Sequence, residues 1–473
     1  MVARTLWLWL CAVWLTTWLT EAIINPSAAS VCDLGPCSCV RGKLLCDCST
    51  SKVKRIVLKG LEVGSFSSIS VANCGHVHVV SQALSGLPAL QQFSAANIPS
   101  LTLEEQAFSW RTDNERHSGL LINITNSAIP EIPSYCFRGS LRHVNFVSVN
   151  VSHVRPFAFS SIDRADRIDF TGVHFADLEP QAFKKFSVDA LSVTDSKFDV
   201  LPTRTMVDVE VHQEVKFDRV EVGTAKYSGL RIHGPRHFRM IRSRVDHADH
   251  HAFRVHTRGP VFLLDNVFTH LEKAAFAGFT VERRFLLEFG KQELIFENNT
   301  LVNFESAALL INTTGFSPRL DRIVINQHCS CPNADYWTSD LVYFSSNPQV
   351  LTPAPQVDTV LYCCSPKVDN VKEFQRIHCN EKDARKLFFV VLLALSAIVL
   401  LSSTGVVVYL GTGRKAKRYV NVPNSPSPVK QDKGGHILVI PDGKTYRETE
   451  LHVIVEHAEP ITPTEYIKTP PDS

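Results

Sequence analysis

The sequence Ile168-Asp-Phe170-Thr-Gly-Val173-His-Phe175-Ala-Asp-Leu178-Glu-Pro-Gln-Ala182-Phe183 decides the fold, because its spacing of apolar residues recurs along the chain. The same spacing spans 144–159 and 261–276, and further copies start at Ile69, Phe93, Ile122, Leu191, Val215, Phe238 and Leu294. A last, partial copy opens at Ile323. Most starts lie 22 to 24 residues apart, with longer insertions in three places. A sustained period of this length predicts a solenoid.

Each copy is interpreted as one coil of that solenoid. Ile168 and Phe170 alternate with polar residues, which is the period of a strand with one buried face. Stacking the coils would place these strands side by side in a parallel sheet. Phe175 and Leu178 would turn the chain back over the core, and the Ala-Phe pair would fill its far side. A single coil cannot bury its apolar face alone, so its stability comes from its neighbours.

The two ends of the chain indicate a secreted protein anchored in a membrane. Residues 1–22 have the charged start, apolar run and small-residue site of a signal peptide. Cleavage after Ser30 and an uncleaved signal anchor are the alternatives. Residues 387–410 form an uncharged run long enough to cross a bilayer as a helix. Together they predict a single-pass type I protein of the plasma membrane, with an extracellular N-terminus and a cytoplasmic tail at 411–473.

Cysteines and glycosylation sequons agree with an extracellular body. Twelve of the 13 cysteines follow the signal peptide and cluster mainly at 32–48 and 329–379, which suggests disulfides in an oxidising compartment. The Asn-x-Ser/Thr sequons all precede the uncharged run and lie at Asn123, Asn150, Asn298 and Asn312. The net charge of +2 argues against nucleic acid as a partner.

The repeat and its ends resemble the extracellular leucine-rich-repeat family, whose pattern is L-x-L-x-x-N-x-I-x-x-L-x-x-x-A-F. The cysteine spacing at 32–46 is similar to that family's N-terminal cap, and the cysteines at 329–379 are similar to its C-terminal cap. The resemblance implies a mostly β solenoid of the α/β type, a horseshoe of about ten repeats at 69–322 between caps at 32–68 and 323–380. It also implies disulfides among Cys32, Cys37, Cys39, Cys46, Cys329, Cys331, Cys363, Cys364 and Cys379.

The repeats depart from the family's pattern at the turn asparagine, which remains only at Asn266 and Asn299. The other copies have, in that slot, Cys74, Ile98, Ser127, Val149, Val173, Ser196, Val220 and Ser243. An apolar side chain cannot satisfy a buried backbone donor, so those turns must close differently. A solenoid closer to a parallel β-helix is therefore the alternative fold. Cys74 and Cys136 are expected to be buried thiols.

The outward side of the first strand in each coil is the predicted binding surface, because solenoids bind on their exposed sheet. Glycans at Asn123 and Asn298 would block a flat partner near the two ends of that face. This leaves a window from about Asp169 to Asp265. The candidate ligand-binding residues within it are Asp169, Asp195, Lys216, Arg219, Arg239, Arg242, Phe262 and Leu264.

A histidine-rich segment at 231–258 contains Asp-His-Ala-Asp-His-His at 246–251. These residue types can bind a metal, but their spacing matches no known zinc pattern, so the sequence predicts neither a metal nor a cofactor. Three interpretations stay open. The segment is a solvated basic flank, a patch for sulfated glycans or an acidic partner, or a pH switch that works by histidine protonation.

These features predict a non-enzymatic cell-surface receptor or adhesion protein that binds an extracellular protein or a cell-surface partner. A matrix anchor or endocytic co-receptor is the alternative. The sequence has no G-x-S-x-G, P-loop or H-E-x-x-H motif. The remaining enzymatic interpretation is a β-helix polysaccharide-active enzyme that uses carboxylates such as Asp169 and Asp195.

The tail is predicted to recruit a cytoplasmic adaptor. Its first part is rich in Pro and Ser, as linkers are, and 436–456 could form a small hairpin or add a strand to a partner's sheet. The candidate motif residues in the tail are Tyr419, Ser425, Ser427, Thr462, Tyr466 and Thr469.

Overall fold

The computed structural model describes residues 31–59, 61, 65–110, 119–347, 350–365 and 367–413. Within them the chain forms a mostly β solenoid of about 11 turns, followed by an apolar helix near the C-terminus. The predicted signal peptide at 1–22 lies outside the described residues. So do the tail motif residues from Tyr419 to Thr469 and the predicted hairpin at 436–456.

Each full coil contributes three parallel strands. In the coil quoted above, Ala165–Thr171 is the first strand and His174–Leu178 is the second. The third strand is the opening part of the longer strand Phe183–Thr194. First strands pair with the first strands of neighbouring coils, second strands with second strands, and third strands with third strands. The coils therefore build three parallel ladders around one core, named here the first, second and third ladders.

Most strands belong to a single ladder. The first ladder contains Lys43–Asp47, Ser68–Ala72, Gln92–Ala96, Ala165–Thr171, His237–Ile241, Val261–Leu264, Gln292–Glu297 and Phe316–Asp321. The second contains Arg55–Leu58, His76–Val79, Leu101–Leu103, His174–Leu178, Lys197–Leu201, Glu221–Ala225, Arg244–Ala248, Val267–Leu271, Thr300–Phe304, Ile323–His328 and Leu361–Ser365. The third contains Phe108–Trp110, Phe137–Gly139, Phe159–Ile162, Leu230–His233, Phe253–Thr257 and Phe279–Val281.

Four longer strands pass from one ladder into the next. Leu120–Ile132 and Leu141–Val154 run from the first ladder into the second. Phe183–Thr194 and Met206–Asp218 run from the third ladder into the first strand of the next coil. The first three strands of the second ladder, Arg55–Leu58 to Leu101–Leu103, form a three-stranded sheet of their own. A separate three-stranded sheet contains Leu309–Asn312, Val342–Asn347 and Val350–Pro353.

The ladders extend beyond the predicted solenoid bounds of 69–322. At one end Cys37–Val40 pairs antiparallel with Lys43–Asp47, so the N-terminal cap supplies the opening strand of the first ladder. At the other end Leu361–Ser365 joins the second ladder and pairs antiparallel with Lys367–Asn370.

The prediction that Ile323 opens a coil is wrong. Ile323–His328 pairs with Thr300–Phe304 in the second ladder, while the first strand of that coil is Phe316–Asp321. Pro318 pairs with the anchor Leu294 and interrupts the apolar spacing there, so the next apolar alternation was mistaken for the start of the coil.

Among the residues that the structure describes, helices are few and lie mainly in the C-terminal part. They are Arg283–Phe289, Cys331–Asp340, Val371–Phe374 and Asn380–Gly413, with 3-10 turns at Val31–Asp33 and Val357–Thr359 and a π turn at Gln375–Cys379. Ser330 accepts a hydrogen bond from the backbone N–H of Asn333 and so caps the second of these helices. Within the last, Phe388–Val408 is apolar and has 21 residues, enough at 1.5 Å per residue to cross a bilayer.

The predicted anchors line the core. Ile168, Phe170, Phe175, Leu178 and Phe183 are all buried. Phenylalanines at the start of the third strands stack coil upon coil, with ring centroids 4.5 Å apart for Phe137–Phe159 and 4.7 Å apart for Phe159–Phe183. Burying each such ring contributes about 1.5–3 kcal/mol relative to leaving it exposed.

Turns with an apolar residue in the asparagine slot close by using the next coil. The backbone N–H groups of Ile98, Val173 and Val220 donate to serine hydroxyls one coil further on, at 3.1, 3.0 and 3.1 Å. Those serines occupy the same slot and are Ser127, Ser196 and Ser243. Asn266 and Asn299 act in the same way, accepting from the preceding slot residue at 2.9 Å in both cases. Three apolar slots, each followed by a serine slot, therefore stand in place of a continuous asparagine ladder.

The cysteines form five disulfides in the described residues, and they differ from expectation at two positions. The pairs are Cys32–Cys39, Cys37–Cys46, Cys48–Cys74, Cys329–Cys363 and Cys331–Cys379. Cys74 is therefore not a thiol, because Cys48 lies close to it on the preceding coil. Cys364, a disulfide candidate, is not disulfide-bonded, since its neighbour Cys363 takes Cys329. Cys136 is a buried thiol, and burial raises its pKa well above the ordinary value.

Candidate binding face

The turn from the first strand to the second sets the edge of the predicted face. One residue there has positive φ in coil after coil: Asn73, Asn97, Asn126, Ser148, Gly172, Asp195, Arg219, Arg242, Asp265, Asn298 and Arg322. Asn, Asp and Gly adopt this conformation most readily, whereas arginine, here at φ 55° in Arg219 and 50° in Arg242, does so rarely. Uncommon backbone conformations of this kind cluster at binding sites.

Asp218 is the centre of the face. Its side chain is only 6% exposed and contacts three cations, Lys216 at 3.1 Å, Arg219 at 3.2 Å and Arg242 at 2.7 Å. Burial alone would raise the pKa of Asp218, but hydrogen bonds from Lys216 and Arg242 outweigh it and hold that pKa below its ordinary value. The carboxylate therefore stays ionised and holds three predicted ligand-binding side chains, those of Lys216, Arg219 and Arg242, in place.

Asp195 extends this network by one coil. Arg219 donates to its Oδ2 at 2.8 Å, and hydrogen bonding from Arg219 lowers the pKa of Asp195. Asp195, Asp218, Lys216, Arg219 and Arg242 thus form one connected group, named here the Asp218 network.

Asp169 belongs to a separate pairing further along the face. His143 lies 2.8 Å and Arg167 3.1 Å from its Oδ2. Burial alone would raise the pKa of Asp169, but the hydrogen bonds from His143 and Arg167 lower it overall. Sequence reasoning placed Asp169 in the window and did not identify either partner.

Arg239 connects the charged part of the face to an apolar part. It lies 3.3 Å from Glu214, and its guanidinium stands 5.3 Å from the centroid of the Phe262 ring. Leu264 is half-buried on the same strand, and Phe262 is in register with Ile295, which is 8% exposed.

A short helix adds exposed apolar surface to the connection before Ile295. In Arg283–Phe289, Leu287 is 79% exposed and Phe289 is 59% exposed. Large exposed apolar side chains rimmed by charge are typical of protein interaction surfaces.

The sequons lie on different sides of the coils. Asn123 is in the first ladder, where its amide oxygen accepts from Asn145 at 2.9 Å, and Asn298 is exposed at the first turn beside Asp265. Asn150 starts a second strand, and Asn312 ends a strand of the separate sheet. The first two therefore border the window from Asp169 to Asp265, as expected from their positions in the repeat.

The six histidines of 231–258 are divided among all three ladders and the turns between them, with His237 at the start of a first-ladder strand. His233 stacks on His256 in the third ladder, with centroids 4.8 Å apart, and His247 stacks on His270 in the second, at 4.7 Å. The six histidines therefore do not make one continuous patch.

The partners that sequence reasoning missed are separated from their predicted residues by one period. His143 and Asp169 are 26 residues apart, and Asp218 and Arg242 are 24 residues apart. Arg167 is the exception, because it lies two residues from Asp169 on the same strand. Comparison with protein-family models finds no match to this chain, and comparison with curated protein sequences finds none either.

Proposed function

We propose that the chain is a single-pass cell-surface receptor or adhesion protein, without enzymatic activity, whose first-ladder face binds an extracellular protein. One observation carries the proposal: the Asp218 network lies on the same face as apolar Phe262 and Leu264. Arginines and aromatic side chains within a polar rim are enriched at protein interfaces.

Charge pairing favours a protein over a polyanionic glycan as the ligand. Lys216, Arg219 and Arg242 each lie within 3.2 Å of Asp218. A sulfated glycan would have to compete with this built-in carboxylate for the same donors, whereas a protein surface can offer both acidic and apolar groups.

Attachment to the plasma membrane as a type I protein is part of the same proposal. The 21-residue apolar segment Phe388–Val408 supports a single span, and the five disulfides support exposure to an oxidising compartment. Adaptor recruitment by the tail is proposed on the sequence alone.

The finer class of the solenoid is also proposed rather than established by relatives. The cysteine caps support the leucine-rich-repeat family. Three parallel strands per coil and the serine-closed turns favour the parallel β-helix alternative for the body between the caps. Small-angle scattering tests this choice, because a horseshoe gives a curved envelope and a β-helix a straight one.

Proximity labelling on living cells tests the binding face. Cells displaying the full chain are compared with cells displaying the combined Arg239→Ala, Arg242→Ala and Phe262→Ala variant. A matched control carries Lys185→Ala and Arg204→Ala, two exposed cations outside the first strands. We expect the ligand to be labelled by the wild type and the control and lost from the triple variant at equal surface expression. Equal labelling by all three refutes the proposed face.

A further inference from the structure

A second group of side chains lies at the end of the second strand, away from the Asp218 network. In successive coils, the residue after this strand is Lys226, Asp249, Glu272 and Glu305. Glu272 Oε2 accepts the backbone N–H of His250 at 3.0 Å, and Asp249 Oδ2 accepts that of Tyr227 at 3.3 Å. Each carboxylate is therefore held by the preceding coil through one oxygen, and its other oxygen faces His247.

The two remaining oxygens converge on His247. Its Nε2 lies 3.3 Å from Asp249 Oδ1 and 3.4 Å from Glu272 Oε1. Asp249 Oδ1 is buried and has no hydrogen-bond partner. A buried carboxylate oxygen that accepts no hydrogen bond requires an explanation, because leaving such a group unsatisfied costs about 1–3 kcal/mol.

The two separations from His247 match the edges of a metal coordination shell. Zinc binds imidazole nitrogen and carboxylate oxygen at about 2.0–2.2 Å, so neighbouring donors of a tetrahedral site lie about 3.4 Å apart. One donor atom each from His247, Asp249 and Glu272 lie within 4.8 Å of one another. Backbone hydrogen bonds to both carboxylates supply the outer contacts that usually orient metal ligands.

His78 and His153 occupy the position of His247 in the second strands of other coils, and each forms, through Nε2, a short contact with one carboxylate of the next coil. His78 Nε2 lies 2.8 Å from Glu104, and His153 Nε2 lies 2.8 Å from Glu179. Those distances are typical of hydrogen bonds, so in both pairs the carboxylate oxygen and the imidazole nitrogen already have a partner. At His247 neither carboxylate is that close, and the ring lies between two acceptors.

The surroundings of His247 contain one competing cation and one additional ligand. Lys226 Nζ is 3.8 Å from Asp249 Oδ1, and its side chain is about half exposed, so the ammonium can move into solvent. His250 Nδ1 lies 3.4 Å from Glu272 Oε2 and can approach as a fourth donor. The histidine stacked on His247, His270, restricts the orientation of its ring.

We propose that His247, Asp249 and Glu272 form a binding site for a divalent transition-metal cation, with Zn²⁺ as the best match. One imidazole and two carboxylates suit Zn²⁺ better than Ca²⁺, which prefers six or more oxygens. Three protein ligands leave coordination positions for water or for a donor from a bound partner. The site departs from the expectation of no metal, because its third ligand, Glu272, comes from the following coil and from no local motif.

Titration of the full chain, solubilised in detergent and stripped with a chelator, tests the site with ZnCl2 alone. Calorimetry gives affinity and stoichiometry, and Co²⁺ absorption reports the ligand geometry. We expect His247→Gln and Glu272→Gln to weaken Zn²⁺ binding by at least about tenfold. The matched control, His153→Gln, should leave it unchanged.

Lys226→Met keeps every proposed ligand and removes the competing cation, so it should tighten Zn²⁺ binding even if a ligand variant folds poorly. Three results would overturn the site. They are unchanged affinity in both His247→Gln and Glu272→Gln, an equal loss in His153→Gln, and binding of Ca²⁺ in preference to Zn²⁺. The test uses no extracellular ligand, so its outcome is independent of the proposed receptor function.

Discussion

The coils that contain His153 and His247 have histidine at the same position of the second strand but differ in the charge two residues later. His153 lies 2.7 Å from Asp177 and 2.8 Å from Glu179, and Arg155 also binds Glu179 at 3.1 Å. In the other coil the residue that corresponds to Arg155 is Asp249. In the His153 coil each imidazole nitrogen contacts one carboxylate, whereas in the His247 coil two carboxylates face the same nitrogen, Nε2, and His270 takes the place of Asp177.

This difference follows from the register of a solenoid. Residues at the same position in adjacent coils face each other across a parallel ladder, about 4.8 Å apart. A substitution in one coil thus changes the partner of the coils before and after it. Chemistry in this fold depends on columns of residues rather than on local motifs.

The largest expected effect is on stability and concerns two phenylalanines in the core of these parts of the solenoid. Phe159 and Phe253 are equivalent, but Phe159 stacks on phenylalanines of both neighbouring coils, at 4.5 and 4.7 Å. Phe253 has Leu230 on one side and, on the other, the rings of Phe276 at 5.5 Å and Phe279 at 6.5 Å. Phe159→Ala should lower the free energy of unfolding by about 4 kcal/mol and Phe253→Ala by about 3 kcal/mol. Chemical denaturation measures both, and a larger loss for Phe253→Ala would contradict the role of the continuous stack.

The second expected effect comes from exchanging the charges at the two equivalent positions, Asp249 and Arg155. Asp249→Arg places the cation of the His153 coil beside His247, so Zn²⁺ affinity should fall by at least about a hundredfold. The reciprocal change, Arg155→Asp, should add a second and weaker Zn²⁺ site at His153. Calorimetric stoichiometry measures both outcomes. No change in either variant would show that the charge at this position does not distinguish the two coils.

A smaller effect is expected at Asp218, whose carboxylate, like the carboxylates at His153, is fully engaged by neighbouring side chains. Asp218→Asn leaves three cations without their buried carboxylate and should lower the free energy of unfolding by about 2 kcal/mol. The control Asp189→Asn removes a more exposed partner, that of Arg164, and should cost less than about 1 kcal/mol.

The pH dependence of that variant has a definite sign. Because the folded pKa of Asp218 is lowered, its contribution is present above the unfolded value near 3.8 and is lost as pH falls through the folded value. The difference between wild type and Asp218→Asn should therefore shrink below about pH 4. A difference that stays constant down to pH 2 would contradict the pairing.

The smallest effect concerns the stacked pair His233 and His256, which has no counterpart in the His153 coil. Burial lowers the pKa of both imidazoles below the ordinary 6.5. The unfolded chain then binds protons more readily, so stability is full above pH 6.5 and declines as pH falls through the folded values. Melting temperature should drop by about 1–3 °C between pH 7 and 5, and His256→Gln should reduce that drop. An undiminished drop in the variant would exclude this pair as its source.

The core was readable from the sequence because apolar spacing reports burial directly. Ile168, Phe170 and Phe183 were placed inside, and they are buried. Spacing does not report how many strands a coil contains, since Phe175 and Leu178 fit a turn as well as a second strand. The start at Ile323 is wrong because Pro318 interrupts the apolar spacing of the true first strand. Cys74 was expected to be a thiol because its partner, Cys48, lies outside the usual cap.

The candidate sites divide in the same way. The sequence predicts that Asp169 and Arg242 lie on the outward face, but the contacts of Asp169 with His143 and of Arg242 with Asp218 depend on the register between coils. His247 and Asp249 were noted together, and a metal was rejected because local spacing matched no known pattern. Glu272 lies 23 residues beyond Asp249, so only the stacking of coils brings it to 3.4 Å from His247.

The sequence alone determined the repeat, the identity of its buried anchors and the presence of cysteine-rich ends, because burial and periodicity are properties of a single coil. Tertiary structure decided the three ladders, the serine-closed turns, the disulfide partners and the two groups of charged side chains. Each of those depends on which residue of one coil lies above which residue of the next. That register is set by packing over the whole solenoid and is not encoded in any one repeat.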